Sequence, residues 1–185
     1  MEKALVLFET HAVFREELRR RLTNMDIVFH SGDSDVSPEV LNNTAIIFGF
    51  PRLDLISRCP RLKWLQLPSA GVDAFIGRLS AGVILSNASG AYGPAVSEYM
   101  TGVLFELNLR LHQYRDEQNR QTWRRRGSVR SILGSIALCV GMGDIGGHFA
   151  AKMKALGAYV IGVTRGGVAA AHSCADELLW RRRVG

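Results

Sequence analysis

The amino-acid sequence predicts an α/β protein with parallel sheets, and two observations support that class. Short apolar runs alternate with amphipathic segments through the first ninety residues, which is typical of a doubly wound sheet with helices on both faces. Between residues 135 and 164, an apolar run leads into a glycine-rich turn, a helical segment and a second apolar run. This is the order of a dinucleotide-binding βαβ unit.

Five short apolar runs are predicted strands of the first sheet. They cover residues 3–8, 25–29, 45–50, 62–67 and 82–87. Phe14, Leu18 and Leu22 recur every four residues and predict a helix over 11–23. Shorter helical segments are predicted over 37–41, 51–59 and 72–79. Ser37 is the expected N-cap of the first of these segments and Pro38 its first residue.

A longer helix is predicted over residues 94–120. Its apolar residues are spaced by three or four positions, as on one face of a single helix of about six turns. They are Val96, Met100, Val103, Leu107, Leu111 and Tyr114. A helix of this length between two α/β units is typical of a connector, and the polar residues 121–131 after it are an expected boundary loop.

The glycine-rich turn is the strongest functional motif. Gly141 is expected to permit the tight turn, Gly143 to let a pyrophosphate approach the backbone, and Gly146 to allow close packing of helix and strand. Met142, Asp144 and Ile145 complete the predicted cofactor-binding segment. The alternative is a tight turn that binds no ligand.

The end of the second strand indicates which dinucleotide is bound. NAD-binding sites usually carry a carboxylate there for the adenosine ribose, whereas this chain has Thr164 and Arg165. A guanidinium suits a 2′-phosphate, so the residues favour NADP over NAD. Arg165 pointing into solvent is the alternative.

Charge and composition narrow the function classes. The net charge is +6, and arginines cluster at residues 19–21, 124–126 and 181–183. Solvated faces explain these clusters more simply than a nucleic-acid surface, because no aromatic residues are interleaved in a base-stacking pattern.

No apolar run reaches the ~18 residues of a membrane span. The start lacks a signal-peptide pattern and the three cysteines form no even or paired set, so a cytoplasmic location is expected. Cys139 is a predicted core residue.

Three segments in order resemble the D-isomer-specific 2-hydroxyacid dehydrogenase family. They are LKWLQLPSAGVDAF, SNASGAYGPAVSEYM and VGMGDIGGHFAAKMKALGAYVIGVTR. The resemblance implies a flavodoxin-like substrate domain (1–93), a connecting helix (94–120) and a partial Rossmann domain (121–185). It also implies NAD(P)-dependent interconversion of 2-oxo and D-2-hydroxy acids, usually in a homodimer.

The same resemblance assigns the substrate-binding loop. Its backbone N–H groups would receive the substrate carboxylate, and its residues are Ser69, Ala70, Gly71 and Val72. Without the family, an ordinary turn after the strand 62–67 is the alternative interpretation of this segment. Residues 87–94 resemble the segment that crosses towards the nicotinamide, with no individual roles assigned.

The family's catalytic Arg, Glu and His are expected beyond the last residue, so the chain is interpreted as C-terminally truncated. Only 45 residues follow Val140, since 185 − 140 = 45, whereas a Rossmann fold needs two βαβαβ halves. The tail ADELL resembles the continuation into the next helix, and WRRRVG departs from the family pattern. A half-built sheet is expected to leave an apolar face uncovered and the chain marginally stable.

The histidines are not expected to replace the missing acid. None of His11, His30, His112, His148 and His172 has a carboxylate at a spacing that predicts an orienting pair. No metal site is predicted either. A non-catalytic dinucleotide-binding regulatory or interaction module is therefore the alternative function, and a basic nucleic-acid binder is a third hypothesis.

Overall fold

The protein is described from a computed structural model that covers residues 1–32, 35–165 and 174–180. The chain divides into two compact units, Met1–Ser89 and Gly90–Gly185. We describe each unit by itself.

The N-terminal unit contains a five-stranded parallel sheet. Its strands are β1 (Lys3–Val6), β2 (Asp26–Phe29), β3 (Thr44–Phe48), β4 (Trp64–Gln66) and β5 (Ile84–Ser86). Their spatial order is β2-β1-β3-β4-β5, and every neighbouring pair is parallel. This is the flavodoxin-like order, so all five predicted strands and the fold class of this unit are confirmed.

Three helices lie between these strands: α1 (Ala12–Arg21), α2 (Pro38–Asn43) and α3 (Leu53–Ser57). Ser37 caps α2 as predicted, because its hydroxyl accepts the N–H of Val40. The helix predicted over 72–79 is wrong, since this segment consists of turns. Val72 accepts from the N–H groups of Phe75 and Ile76, but the chain does not continue into a helix.

The core of this unit lies under the central strands. Leu5, Ile47 and Leu65, from three adjacent strands, are fully buried, and Phe75 anchors the turn segment among them. Apolar residues on neighbouring parallel strands can be buried in this way because helices and turns cover the sheet faces.

The C-terminal unit begins with two helices where the sequence predicts one. They are α4 (Gly93–Asn108) and α5 (Leu111–Asn119), and Arg110 between them has a left-handed φ of 58°. The single helix over 94–120 is therefore wrong. A non-glycine residue in this region of φ and ψ interrupts the right-handed α-helix, so the apolar periodicity continues across a break.

The predicted βαβ unit follows, with β6 (Ile136–Val140), α6 (Asp144–Ala155) and β7 (Tyr159–Thr164). A further strand, β8 (Glu177–Trp180), pairs parallel with β7 and completes the order β6-β7-β8. The helix expected from ADELL is therefore wrong. Asp176 starts this strand: its carboxylate accepts the Val160 N–H at 2.9 Å and its own N–H donates to the Val160 carbonyl at 2.8 Å.

The two faces of this smaller sheet differ. Cys139 and Val160 face a core that includes Ala150 and Met153 of α6. On the other face of β6, Ile136, Leu138 and Val140 are 70%, 61% and 77% exposed. The expected uncovered apolar face is present, and Cys139 is a buried residue as predicted.

Candidate functional site

The glycine-rich turn joins β6 to α6 through a conformation that needs glycine. Gly141 has a φ of 94°, in the region that side chains other than glycine rarely enter. Its N–H donates to the carbonyl of Val163 at 2.9 Å, which fixes the turn to the end of β7. Gly143 follows as the extended N-cap of α6.

The third glycine of the motif closes the turn. A Cβ atom at Gly146 would lie 1.8 Å from the carbonyl oxygen of Gly141, whereas one at Gly143 would meet nothing within 4 Å. Gly146 is thus required by packing inside the turn, and the surface beside Gly143 is open. An anion can approach the backbone at Gly143 without a steric barrier.

The N-terminus of α6 supplies donors to that open surface. Gly147 donates to Gly143, so the preceding backbone N–H groups of Asp144, Ile145 and Gly146 have no acceptor within the helix. Such N–H groups and the helix dipole favour a phosphate. Of the other motif residues, Met142 is buried in the core, whereas the Ile145 side chain is exposed.

Asp144 uses its carboxylate for a different contact. One oxygen accepts the N–H of Gly93 at 2.9 Å, and the other lies 3.7 Å from Nε2 of His148. The statement that no histidine has a carboxylate at a suitable spacing is therefore wrong, because His148 follows Asp144 by one helical turn. The 3.7 Å separation is nevertheless too long for a hydrogen bond.

The residues that would select the cofactor end β7. Thr164 is the last residue of the strand and is half-buried, while Arg165 is exposed. Among the described residues, no carboxylate forms an ion pair with Arg165.

The predicted carboxylate-binding loop lies in the N-terminal unit after β4. Ser69 donates its hydroxyl to the carbonyl of Gly71 at 3.1 Å, and its own carbonyl accepts the N–H of Ala88 at 3.0 Å. Gly71 is exposed, and a Cβ there would meet nothing within 4 Å. The loop therefore has a defined backbone, and its role as a carboxylate-binding site stays a prediction.

Asn87 is the residue here that sequence reasoning left without a role. Its amide nitrogen donates to the carbonyl of Ala70 at 2.7 Å, and its amide oxygen accepts the N–H of Ser89 at 3.3 Å. It therefore links the end of β5 to the loop after β4. Its position at the end of the predicted strand 82–87 was the available signal, because neighbouring parallel strands end at the same sheet edge.

The remaining titratable residues form no second site. His11 is the N-cap of α1, Nδ1 of His30 lies 2.7 Å from the carbonyl of Gly32, and His112 is on α5. His172 is outside the described residues. No three His, Cys, Asp or Glu side chains in the described ranges are close enough to hold a metal ion. Within the same ranges, no helix is long and apolar enough to cross a bilayer.

Comparison with a protein family agrees with the geometry of the turn. Residues 101–179 match the NAD-binding domain of the D-isomer specific 2-hydroxyacid dehydrogenases. This segment contains the glycine turn, both strands that flank it and all but the last residue of β8. The family domain that it matches is described as one that binds NAD.

Solved structures match nearly the whole chain. A D-isomer specific 2-hydroxyacid dehydrogenase family protein from Aeromonas salmonicida subsp. salmonicida A449 is 27% identical, with a TM-score of 0.84 over 97% of this chain and 58% of its own. A D-lactate dehydrogenase from Aquifex aeolicus, solved with NAD and lactic acid, is 19% identical with a TM-score of 0.74, over 97% of this chain and 56% of its own.

A third solved structure extends the comparison. A glyoxylate reductase from Paecilomyes thermophila is 17% identical with a TM-score of 0.77, over 97% of this chain and 60% of its own. This structure and the lactate dehydrogenase share the fold. The chain therefore spans 56% to 60% of the length of these three structures. The resemblance drawn from the three sequence segments is confirmed.

Proposed function

We propose, from its kinship with the D-isomer specific 2-hydroxyacid dehydrogenases, that this chain is part of an NAD(P)-dependent oxidoreductase that interconverts 2-oxo and D-2-hydroxy acids. The glycine turn carries this proposal. Gly146 lies so close to the Gly141 carbonyl that only glycine fits, and a Cβ on the adjoining Gly143 would meet nothing within 4 Å. A turn built only for chain reversal does not require that combination.

The described residues fit the two phosphates of a dinucleotide. The free N–H groups at 144–146 would hold the pyrophosphate, with Gly141, Met142 and Gly143 contributing backbone. When bound, the nicotinamide supplies or accepts the hydride. Thr164 and Arg165 would contact the adenosine ribose, and the exposed guanidinium favours the 2′-phosphate of NADP.

The proposed substrate site is the loop of Ser69, Ala70, Gly71 and Val72. Its backbone N–H groups would hold the carboxylate common to 2-oxo acids, and Asn87 would keep the loop in place. These contacts involve only the carboxylate end of the substrate, so they define the substrate class but not the side chain of the acid.

The proposed division of the chain is a substrate domain (1–93), a connecting segment (94–120) and a nucleotide-binding domain (121–185). We also propose a cytoplasmic homodimer.

Hydride transfer to a 2-oxo acid further needs a cation beside the carbonyl and an acid for the alkoxide. We assign neither role to a residue of this chain. The alternative function is a non-catalytic dinucleotide-binding module. One observation favours it: in the described ranges no histidine makes a hydrogen bond to a carboxylate, and the separation in the Asp144–His148 pair is 3.7 Å.

A fluorescence titration of the 185-residue protein with NADPH and NADH tests the proposal. We expect binding of both, with NADPH tighter, and none by Gly146→Val, whose side chain cannot fit beside the Gly141 carbonyl. Adding glyoxylate, pyruvate or hydroxypyruvate then separates the two functions. Oxidation of the nucleotide would support the enzyme, binding without oxidation would support the module, and absence of binding would contradict both.

A further inference from the structure

The N-termini of two helices meet at one carboxylate in the C-terminal unit. Asp144 is the first residue of α6, and its Oδ2 accepts the N–H of Gly93, the first residue of α4, at 2.9 Å. The N-cap residue of α4, Tyr92, provides no side-chain capping bond. Asp144 therefore acts as a side-chain cap of α4, although it belongs to α6.

The approach of the two helices at this point leaves no room for a side chain. A Cβ atom on the buried Gly93 would lie 2.3 Å from Oδ1 of Asp144 and 2.2 Å from Cδ2 of His148. One turn further along α4, the buried Ser97 accepts a hydrogen bond from Nζ of Lys152 at 2.8 Å. The start of α4 is thus fixed against α6 by two polar contacts and one glycine.

The same carboxylate is badly placed for a phosphate. The N–H of Asp144 is one of the three free donors at the start of α6, so an anion bound there lies within one residue's length of the carboxylate. Two negative charges at such a distance repel each other, less in water than in a partly dry site. The Gly93 N–H and the partial positive charge of the α4 N-terminus offset part of that repulsion.

We infer that Asp144 is a positioning residue that holds α4 against the glycine turn and lowers the affinity of that turn for the dinucleotide. Its carboxylate acts through the hydrogen bond to Gly93 and is not a ligand of the pyrophosphate, whereas its backbone N–H remains one of the proposed donors. This inference rests on the proposed function. Under this inference Asp144 belongs to the predicted cofactor-binding segment through its backbone, and its side chain has a separate role.

Three variants separate the hydrogen bond from the charge. Asp144→Asn keeps an acceptor oxygen for Gly93 and removes the charge, whereas Asp144→Ala removes both. Gly93→Ala keeps the carboxylate but forces α4 away from it. Asp116→Asn, on the exposed side of α5, is the control for the same change in net charge.

Thermal unfolding without nucleotide and titration with NADPH and NADH are the two measurements. We expect Asp144→Ala and Gly93→Ala to lower the melting temperature by about 4–8 °C. Asp144→Asn should lower the melting temperature less than Asp144→Ala does, because it keeps the acceptor and loses only the charge, and it should bind both dinucleotides about three- to tenfold more tightly. Asp116→Asn should change neither quantity.

Two results would overturn the inference. Weaker dinucleotide binding by Asp144→Asn would mean that the carboxylate itself is a ligand. A loss of stability in Asp144→Asn equal to that in Asp144→Ala would mean that the bond to Gly93 is not what the residue provides. If the parent protein binds no dinucleotide, the proposed function fails, while the melting temperatures still decide whether Asp144 holds α4.

Discussion

A methyl group on Gly146 would lie 1.8 Å from the carbonyl oxygen of Gly141. We therefore expect Gly146→Ala to force the turn open, to weaken dinucleotide binding at least ~100-fold and to destabilise the C-terminal unit by about 1–3 kcal/mol. Calorimetric titration and urea unfolding measure the two effects. Gly102→Ala is the matched control, because a Cβ at that position in α4 meets nothing within 4 Å. Equal effects of the two substitutions would contradict this account.

Removal of the guanidinium at residue 165 tests cofactor choice. We expect Arg165→Ser to weaken NADPH binding about 10- to 100-fold and to change NADH binding little, because only the 2′-phosphate offers a charged partner. The ratio of the two dissociation constants is the measurement. Arg58→Ser, another exposed arginine, controls for net charge. An equal loss of affinity for NADPH and NADH would show that Arg165 does not bind the 2′-phosphate.

The three cysteines should differ in reactivity. Burial raises the pKa of the Cys59 thiol to about 11 and that of Cys139 above its usual value, whereas Cys174 is half-buried. A thiol-specific reagent at pH 8 should therefore modify Cys174 first and the other two only on unfolding, since the thiolate is the reactive form. Mass spectrometry of the modified peptides distinguishes them. Early labelling of Cys59 would contradict its burial.

The same raised pKa has a consequence for alkaline stability. Because the Cys59 thiol ionises less readily when folded, unfolding releases a proton above the pKa of the exposed thiol. Stability should therefore fall as the pH rises from about 9 towards 11, and be insensitive to this residue below that range. Urea unfolding of Cys59→Ala should show a shallower alkaline loss than the parent protein. Parallel curves would contradict the prediction.

Asp176 should control whether β8 stays on the sheet. Its carboxylate accepts from Lys154 and from the Val160 N–H, which together hold its pKa below the usual value. Asp176→Ala should therefore increase hydrogen exchange at the Val160 amide and along β8, because the hydrogen bond between the start of β8 and β7 is lost. Asp176→Asn, which keeps one acceptor, should lose less protection.

The sign of the pH dependence follows from that lowered pKa. The contribution of Asp176 is fully present above the ordinary pKa of an aspartate and is lost as the pH falls through the lower folded value. Once the rates are corrected for the intrinsic pH dependence of amide exchange, the protection of the Val160 amide should fall in acid in the parent protein but not in Asp176→Ala. Protection that is independent of both pH and residue 176 would exclude this role.

Sequence patterns predicted the elements whose signals are local. All five N-terminal strands, the Ser37 cap and the strand–turn–helix around Gly141 depend on apolar runs, a capping residue and glycines with special φ angles. The close contact at Gly146 was also foreseeable, since the third glycine of this motif packs against backbone. These features require no knowledge of distant residues.

The elements that escaped prediction depend on contacts far along the chain. No glycine or proline marks the break at Arg110, and the apolar spacing continues across it, so the local sequence does not indicate that the helix ends there. The residues of β8 include glutamate and leucines, which favour helices, but pairing with β7 overrides that preference. The bond from Asn87 to Ala70 joins residues 17 positions apart and has no counterpart in local spacing.

The strand order of the N-terminal unit also determines when that unit can fold during synthesis. The first strand, β1, lies between β2 and β3, so the central ladder is complete once residue 48 has emerged from the ribosome. Later strands add to one side only. Parallel sheets are usually slow to assemble because their pairings are distant in sequence. Here β1, the first strand of the sheet to be synthesised, is the strand on which β2 and β3 pair. A nascent chain can therefore bury β1 before the nucleotide-binding segment has been translated.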